Sequence, residues 1–180
     1  QCYHANLTDS GLWFLDYPVG DKGIQEVSKA IKFHRASGGH RDFIVVFFHA
    51  GPNFEWHPNR RREALLRAAI DAGADLVWGT SSHHIQRMER WKRKPIIYGL
   101  GDVLFRLIPG VTFLEACEAG QSPCEQFRPE VSIVYQFYLS ESDFQDSPFI
   151  TGIQAHVTRH DLLQTNFGSK ADKEWAMNIF

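Results

Sequence analysis

Three clusters of polar residues, each following an apolar run, hold the side chains of this sequence best suited to chemistry. His49 follows Val45-Val46-Phe47-Phe48 and leads into Ala50-Gly51-Pro52-Asn53; Thr80-Ser81-Ser82-His83-His84 follows Leu76-Val77-Trp78-Gly79; Gly99-Leu100-Gly101-Asp102 follows Pro95-Ile96-Ile97-Tyr98. Neutral imidazole is the commonest protein ligand for transition metals, so the histidine-bearing strand ends at His49 and at His83-His84 mark a candidate metal or phosphate site. Asn53 can ligate or hydrogen-bond an anionic oxygen, His84 can move protons, and Asp102 can bind metal, act as a base or cap its loop. These three are the candidate catalytic residues. Each has a plainer reading as well: a hydrogen-bonded structural histidine, or a Pro-Asn turn at Pro52-Asn53.

Two tempting motifs are rejected. Gly99-Leu100-Gly101 lacks the third glycine and the helix N-terminus that a dinucleotide fingerprint requires. Ser81 and Ser82 beside His83 are neighbours in sequence, which does not make a triad, and no Gly-x-Ser-x-Gly elbow is present.

The elements that must carry these clusters follow from periodicity. Gly11 to Tyr17 reads as a strand, and Asp21 as the cap of a helix with Ile24, Val27, Ala30 and Ile31 on one face that ends at Gly38-Gly39. The strand Phe43 to Phe48 comes next. A second helix starts near Asn59, shows Leu65, Ala68, Ala69 and Ala72 on one face, and stops at Gly73 before a strand at Asp75 to Trp78. Strand, helix, strand order with such crossovers implies βαβ units and parallel strands, whose carboxyl ends are where α/β sheets bind ligands. From Val131 the texture alternates to Leu139, breaks at Ser140 to Pro148 and resumes at Phe149 to Thr158, an antiparallel hairpin with one face buried. One more short element is expected between Thr165 and Phe180. The expectation is therefore a layered α/β domain, parallel units first and an antiparallel sheet afterwards.

Bulk properties narrow the function classes. At 180 residues the chain suits one domain, and a net charge of -2 gives no general attraction to nucleic acid or anionic lipid. Arg60-Arg61-Arg62 and the group Arg87, Arg90, Lys92, Arg93 and Lys94 read as solvated charge, the second in a turn between Met88 and Pro95, with Trp91 packing down as an anchor; no specific nucleic-acid partner is expected. No apolar run approaches the roughly 20 residues of a membrane span. Cys117 and Cys124 bracket a loop that permits a small disulfide and equally permits two free thiols. The start, Gln1-Cys2-Tyr3-His4, has no initiator Met and no signal-peptide layout, so the chain reads as processed or as part of something longer.

Taken together, Val45-Val46-Phe47-Phe48-His49-Ala50-Gly51-Pro52-Asn53, Ala72-Gly73-Ala74-Asp75, Ser81-Ser82-His83-His84-Ile85-Gln86, Met88-Glu89 and Ile97-Tyr98-Gly99-Leu100-Gly101-Asp102 resemble the capsule-synthesis (CapA-type) family associated with poly-γ-glutamate, whose domain is similar to calcineurin-like metallophosphoesterases. The resemblance implies a metallophosphoesterase-like sandwich with the N-terminal half of the fold missing, since the family's Gly-Asp, Asn-x-Glu and Asn-Asn-His motifs have no counterpart. It implies divalent metal ions, with His49 and His83 at ligand positions and a metal-activated hydroxide attacking a phosphoester. It also implies a partner, another chain or an N-terminal half, that completes the sheet, and an extracytoplasmic setting. The departures run the other way. Thr80 stands where the most similar branch has His, Ser81 where the commoner form has a ligand, Ala50 where Trp is usual, and Arg106-Leu107-Ile108 where that branch has Asp-Tyr-Glu. The expectation is thus a degenerate member kept as a structural or binding subunit, with a metal-dependent phosphoester hydrolase of the capsule type, completed by the missing half, as the alternative.

Overall fold

A computed structural model describes residues 13–16, 19–103, 126–140, 148–160 and 164–179. Cys117, Cys124 and Arg106-Leu107-Ile108 lie outside the described residues, as do Gly11, Leu12 and Tyr17 of the expected first strand. The remainder of that strand, Trp13 to Asp16, has no regular structure, and its Trp13 and Phe14 are exposed. Apolar, aromatic composition there indicates surface to be covered, not a strand in this sheet.

The first regular element is helix α1 (Asp21–Ala36), whose Val27 and Ile31 are buried. Its N-cap is Gly20 and not Asp21; the Asp21 carboxylate instead pairs with Arg61. Strand β1 (Val45–His49) follows a short 3-10 turn, and helix α2 (Arg60–Ala72) follows β1. Asn59 caps α2 by accepting from the Arg62 amide (2.9 Å), and Gly73 ends it in the left-handed conformation that glycine adopts at least cost. Next come β2 (Leu76–Thr80), β3 (Ile85–Trp91) and β4 (Lys94–Leu100). The sheet order is β1-β2-β4-β3, with β1, β2 and β4 parallel and β3 antiparallel to β4. The basic turn expected across Met88 to Pro95 is only Lys92-Arg93, both at positive φ (47° and 67°), a two-residue hairpin turn; Arg87 and Arg90 lie in β3 itself.

The two helices cover one face of this sheet through Val27, Ile31, Leu65, Leu66, Ala69 and Ile70 against Val77, Ile96 and Tyr98. Ion pairs then fasten the β3–β4 hairpin to α2. Arg67 meets Glu89 (3.0 Å) and stands over the Trp91 ring, Arg87 meets Glu63 (2.6 Å), and Trp91 donates to Asp71 (2.9 Å). The charge run therefore braces the hairpin, and Trp91 packs partly buried against the core. Asp75, a family-motif residue overlooked as a structural centre, accepts from Arg35, from Lys94 (2.8 Å) and from the Ile44 amide (2.8 Å), so one carboxylate ties α1, β1, β2 and β4 together.

The second sheet is antiparallel, in the order β5 (Val131–Leu139), β6 (Ile150–His160) and β7 (Thr165–Phe167). A helix, α3 (Lys170–Met177), opens with a reciprocal cap between Ser169 and Asp172 and buries Ala176 against Ile85, Val131 and Ile133. The architecture is a mixed, mostly parallel sheet under helices beside a separate antiparallel sheet, as the sequence implied; the tail holds two short elements where one was expected.

Asp172 is the electrostatic centre of that second unit. Burial alone would raise its carboxyl, but hydrogen bonds from the Ser169 hydroxyl and amide and from Arg128 outweigh this and hold it at about 2. A depressed carboxyl contributes stability that is complete above the unfolded value near 4 and is lost as the pH falls through about 2. Trp175 stacks against Arg128, so Trp fluorescence followed from pH 5 to pH 1.5 is expected to report release of α3 in that window, with Asp172→Asn abolishing the step.

Candidate functional site

The three polar clusters arrive at one edge because β1, β2 and β4 are parallel and stop at similar heights, with His49 opposite Thr80 in the register. Each strand end turns away through positive-φ residues: Gly51 and Phe54 after β1, Ser81 and His83 after β2, Gly101 after β4. For Phe54, Ser81 and His83 that conformation is costly and persists only where neighbours hold it. They do so here. The Phe54 amide donates to the Ser82 carbonyl (3.0 Å), the Ser81 hydroxyl to the Gly51 carbonyl (3.0 Å), and the Ser82 hydroxyl to the His84 carbonyl (2.9 Å). The loops after β1 and β2 are thus laced into one another.

His83 and Asp102 meet. Nδ1 of His83 lies 3.1 and 3.0 Å from the two Asp102 carboxylate oxygens, with side chains 21% and 17% exposed. A carboxylate at Nδ1 selects the neutral tautomer protonated there and leaves the Nε2 lone pair directed elsewhere. An imidazole so held can accept a proton or a metal at Nε2. The Phe54 ring flanks it, centroids 6.0 Å apart.

His84 has a different place. It is fully buried, Nδ1 bonded to the Ser82 carbonyl (2.8 Å), among Phe127 (4.6 Å between centroids), Trp56 (5.4 Å) and Phe54 (6.3 Å). The expectation of a proton-moving His84 meets this enclosure: the ring does not reach solvent and serves here to anchor the loop. Burial pushes its pKa down to about 4, partly opposed by the carbonyls of Ser82 and Glu55. Because the unfolded imidazole titrates near 6.5, the unfolded state binds the extra proton between these values. Stability is then complete above about 6.5 and falls as the pH drops toward 4, by roughly 2 kcal/mol between pH 7 and 4.5. Urea unfolding at the two pH values is expected to show this difference, and His84→Phe to reduce it.

His49 ends β1 exposed, on the face that also carries Val45 and Phe47, and its side chain makes no hydrogen bond or ion pair among the described residues. Asn53 is exposed in its turn. The Asp102 carboxylate and Gly101 mark one end of a cleft of about 450 Å³ between the sheets, walled mainly by Trp78, Ile97, Ile133, Tyr135 and Phe137. Gly99 and Gly101 owe their identity to packing: a Cβ on Gly99 would lie 2.3 Å from the Ser82 hydroxyl, and one on Gly101, at φ +77°, 2.9 Å from the Val131 carbonyl.

The pair of metal ions implied by the resemblance would need several more donors. Among the described residues no group of three or more His, Cys, Asp or Glu side chains gathers, the Ser81 hydroxyl is committed to Gly51, and Asp102 is engaged by His83. These residues alone do not fit a two-metal centre.

Sequence reading missed Arg62. The residue is 5% exposed, and its guanidinium donates to the Tyr98 carbonyl (2.6 Å) and the Thr80 carbonyl (3.1 Å). A signal existed: Arg62 shares the spacing of Leu65, Leu66 and Ala69 on the apolar face of α2, where a charge implies a buried acceptor.

A mixed, mostly parallel sheet with polar loops at the carboxyl edge of its parallel strands, backed by helices and flanked by an antiparallel sheet, defines a layered α/β fold built around that edge. Residues 4–107, more than half of the chain, match the family described as bacterial capsule synthesis protein PGA_cap, and the chain belongs to that family. It is similar to a probable polyglutamine synthesis accessory protein of Mycobacterium tuberculosis, 28% identical over 178 residues, covering 99% of this chain and 42% of that protein. The capsule biosynthesis protein CapA of Bacillus anthracis is 35% identical over 82 residues, 46% of this chain and 19% of that protein. The PGA biosynthesis protein CapA of Bacillus subtilis is 38% identical over 66 residues, 37% of this chain and 17% of that protein. The chain therefore spans less than half the length of these relatives.

Proposed function

We propose that this chain serves bacterial capsular polymer synthesis of the poly-γ-glutamate type as a structural or binding subunit, its working surface being the carboxyl edge of the parallel sheet. The observation that carries this reading is β1. Among the described residues it is an edge strand, with Val45 and Phe47 46% and 61% exposed on one face, a surface suited to a second polypeptide half that completes the sheet. Family membership and the word "accessory" in the name of the mycobacterial relative support the same reading.

A second reading, a metal-dependent phosphoester hydrolase whose other donors come from that further half, is favoured by one feature. Asp102 orients His83 as a carboxylate orients a ligand or acid-base imidazole. Metal analysis of the purified chain, of His49→Ala and of His83→Ala, with hydrolysis of an aryl phosphate measured alongside, separates the two. The subunit reading expects substoichiometric metal unchanged in both variants and no turnover. Stoichiometric metal lost in both variants would overturn it in favour of the hydrolase.

A further inference from the structure

We propose that Arg62 is the positioning residue of the strand-edge site, its guanidinium acting as a spacer between β2 and β4 that sets where His83 and Asp102 meet. The inference rests on the reading of that edge as the working surface, but its geometry stands apart from any ligand. The ladder between β2 and β4 ends at Trp78 opposite Ile97. Both strands run on, β2 to Thr80 beside β1 and β4 to Leu100 beside β3, with no further residues paired between them. Arg62 reaches from α2 into this gap, and the same Nη2 donates to the Thr80 carbonyl on one side and the Tyr98 carbonyl on the other. Its Nη1 faces Gln86 at the start of β3, at 3.4 Å.

The chain leaves room for this group at two glycines. A Cβ on Gly79 would stand 2.8 Å from Nη2 and 3.0 and 3.2 Å from the Tyr98 and Ile97 carbonyl oxygens of β4, and one on Gly51 3.0 Å from Nη1. His83 is three residues beyond Thr80 and Asp102 four beyond Tyr98, so the two carbonyls held by one nitrogen are the roots of the two loops that carry the pair. A planar, five-donor guanidinium can hold carbonyls on both sides of a gap at a fixed separation. A lysine ammonium, a single flexible point of charge, does not fix that separation.

The test uses the full chain without ligand or metal, so that the outcome is independent of whether the edge binds or hydrolyses anything. The readout is the tautomer of His83 by ¹⁵N NMR, with Asp102→Asn as the reference for a lost partner and thermal unfolding as the measure of the fold. In the native chain the Nδ1–H tautomer is expected to dominate. Arg62→Lys is expected to remain folded while the Nδ1–H population falls at least several-fold toward the Asp102→Asn value; Gly79→Ala, whose Cβ also presses on the Tyr98 and Ile97 carbonyls, is expected to lower the same population at a cost in thermal stability. An unchanged tautomer in folded Arg62→Lys overturns the proposal. So does an Arg62→Lys chain that fails to fold, because the arginine would then be a fold residue and not a positioning one. Should Gly79→Ala alone unfold, Arg62→Lys decides.

Discussion

Asp75→Ala is expected to lower the unfolding free energy by about 2–3 kcal/mol, less than the loss of a fully buried ion pair because Arg35 and Lys94 keep 18% and 35% of their side chains exposed to water. Two cations and an amide lose their acceptor at once: Arg35, Lys94 and the Ile44 N–H, which opens β1. The Arg35 guanidinium also spans to the Gly73 carbonyl (2.7 Å), so the C-terminus of α2 loosens with it. Asp75→Asn keeps an acceptor for the amide but removes the charge, and is expected to cost about 1–2 kcal/mol. Urea unfolding of the three proteins checks both figures. A loss under 1 kcal/mol for Asp75→Ala would show that the carboxylate is not the joint between the helices and the sheet.

The second large effect is expected at Gly101. Alanine there must adopt φ +77° and place its Cβ 2.7 Å from the Ser132 hydroxyl, 2.9 Å from the Val131 carbonyl and 3.2 Å from the Ser132 Cα. Two of these three are backbone atoms of β5, which do not swing aside. Strain of about 1–2 kcal/mol from the conformation and of about 1–3 kcal/mol from overpacking gives a combined cost near 3–4 kcal/mol. Because Asp102 is the next residue, relief by movement of the β4 end carries the carboxylate away from His83. The same variant is therefore expected to show a lowered thermal midpoint and a weakened Nδ1–H signal at His83. Gly20, with nothing within 4 Å of a Cβ, is the control, and Gly20→Ala is expected to leave both unchanged.

These two residues show what was legible in the sequence and what was not. The parallel units could be read because β-branched and aromatic runs alternate with capped helices: Asn59, Gly73 and the Val45 to Phe48 run each did what its chemistry predicts. The parallel direction of β1 and β2, which brings their two ends to one edge, follows from the helical crossover. The partnership of His83 with Asp102 does not. It depends on left-handed turns at Ser81, His83 and Gly101 that no periodicity announces. Asp75 looked like a strand-start residue, and its three donors come from positions 35, 44 and 94, separated by up to 59 residues in the chain. Arg62 was hidden in a run of three arginines, of which only the helix phase distinguishes the buried one. The antiparallel strand β3 was concealed by its charge, since Arg87 and Arg90 read as part of a solvated turn until the Arg87–Glu63 pair with α2 is in view.

The outer edge of β1, which pairs with no further strand among the described residues, has a practical consequence for handling the protein. Such an edge beside the exposed Val45 and Phe47 invites like strands from neighbouring molecules to add on, the first step of ordered aggregation. Preparations of this chain by itself should thus grow turbid with concentration and heating, and Phe47→Lys, which puts a charge on that flank, should keep them clear.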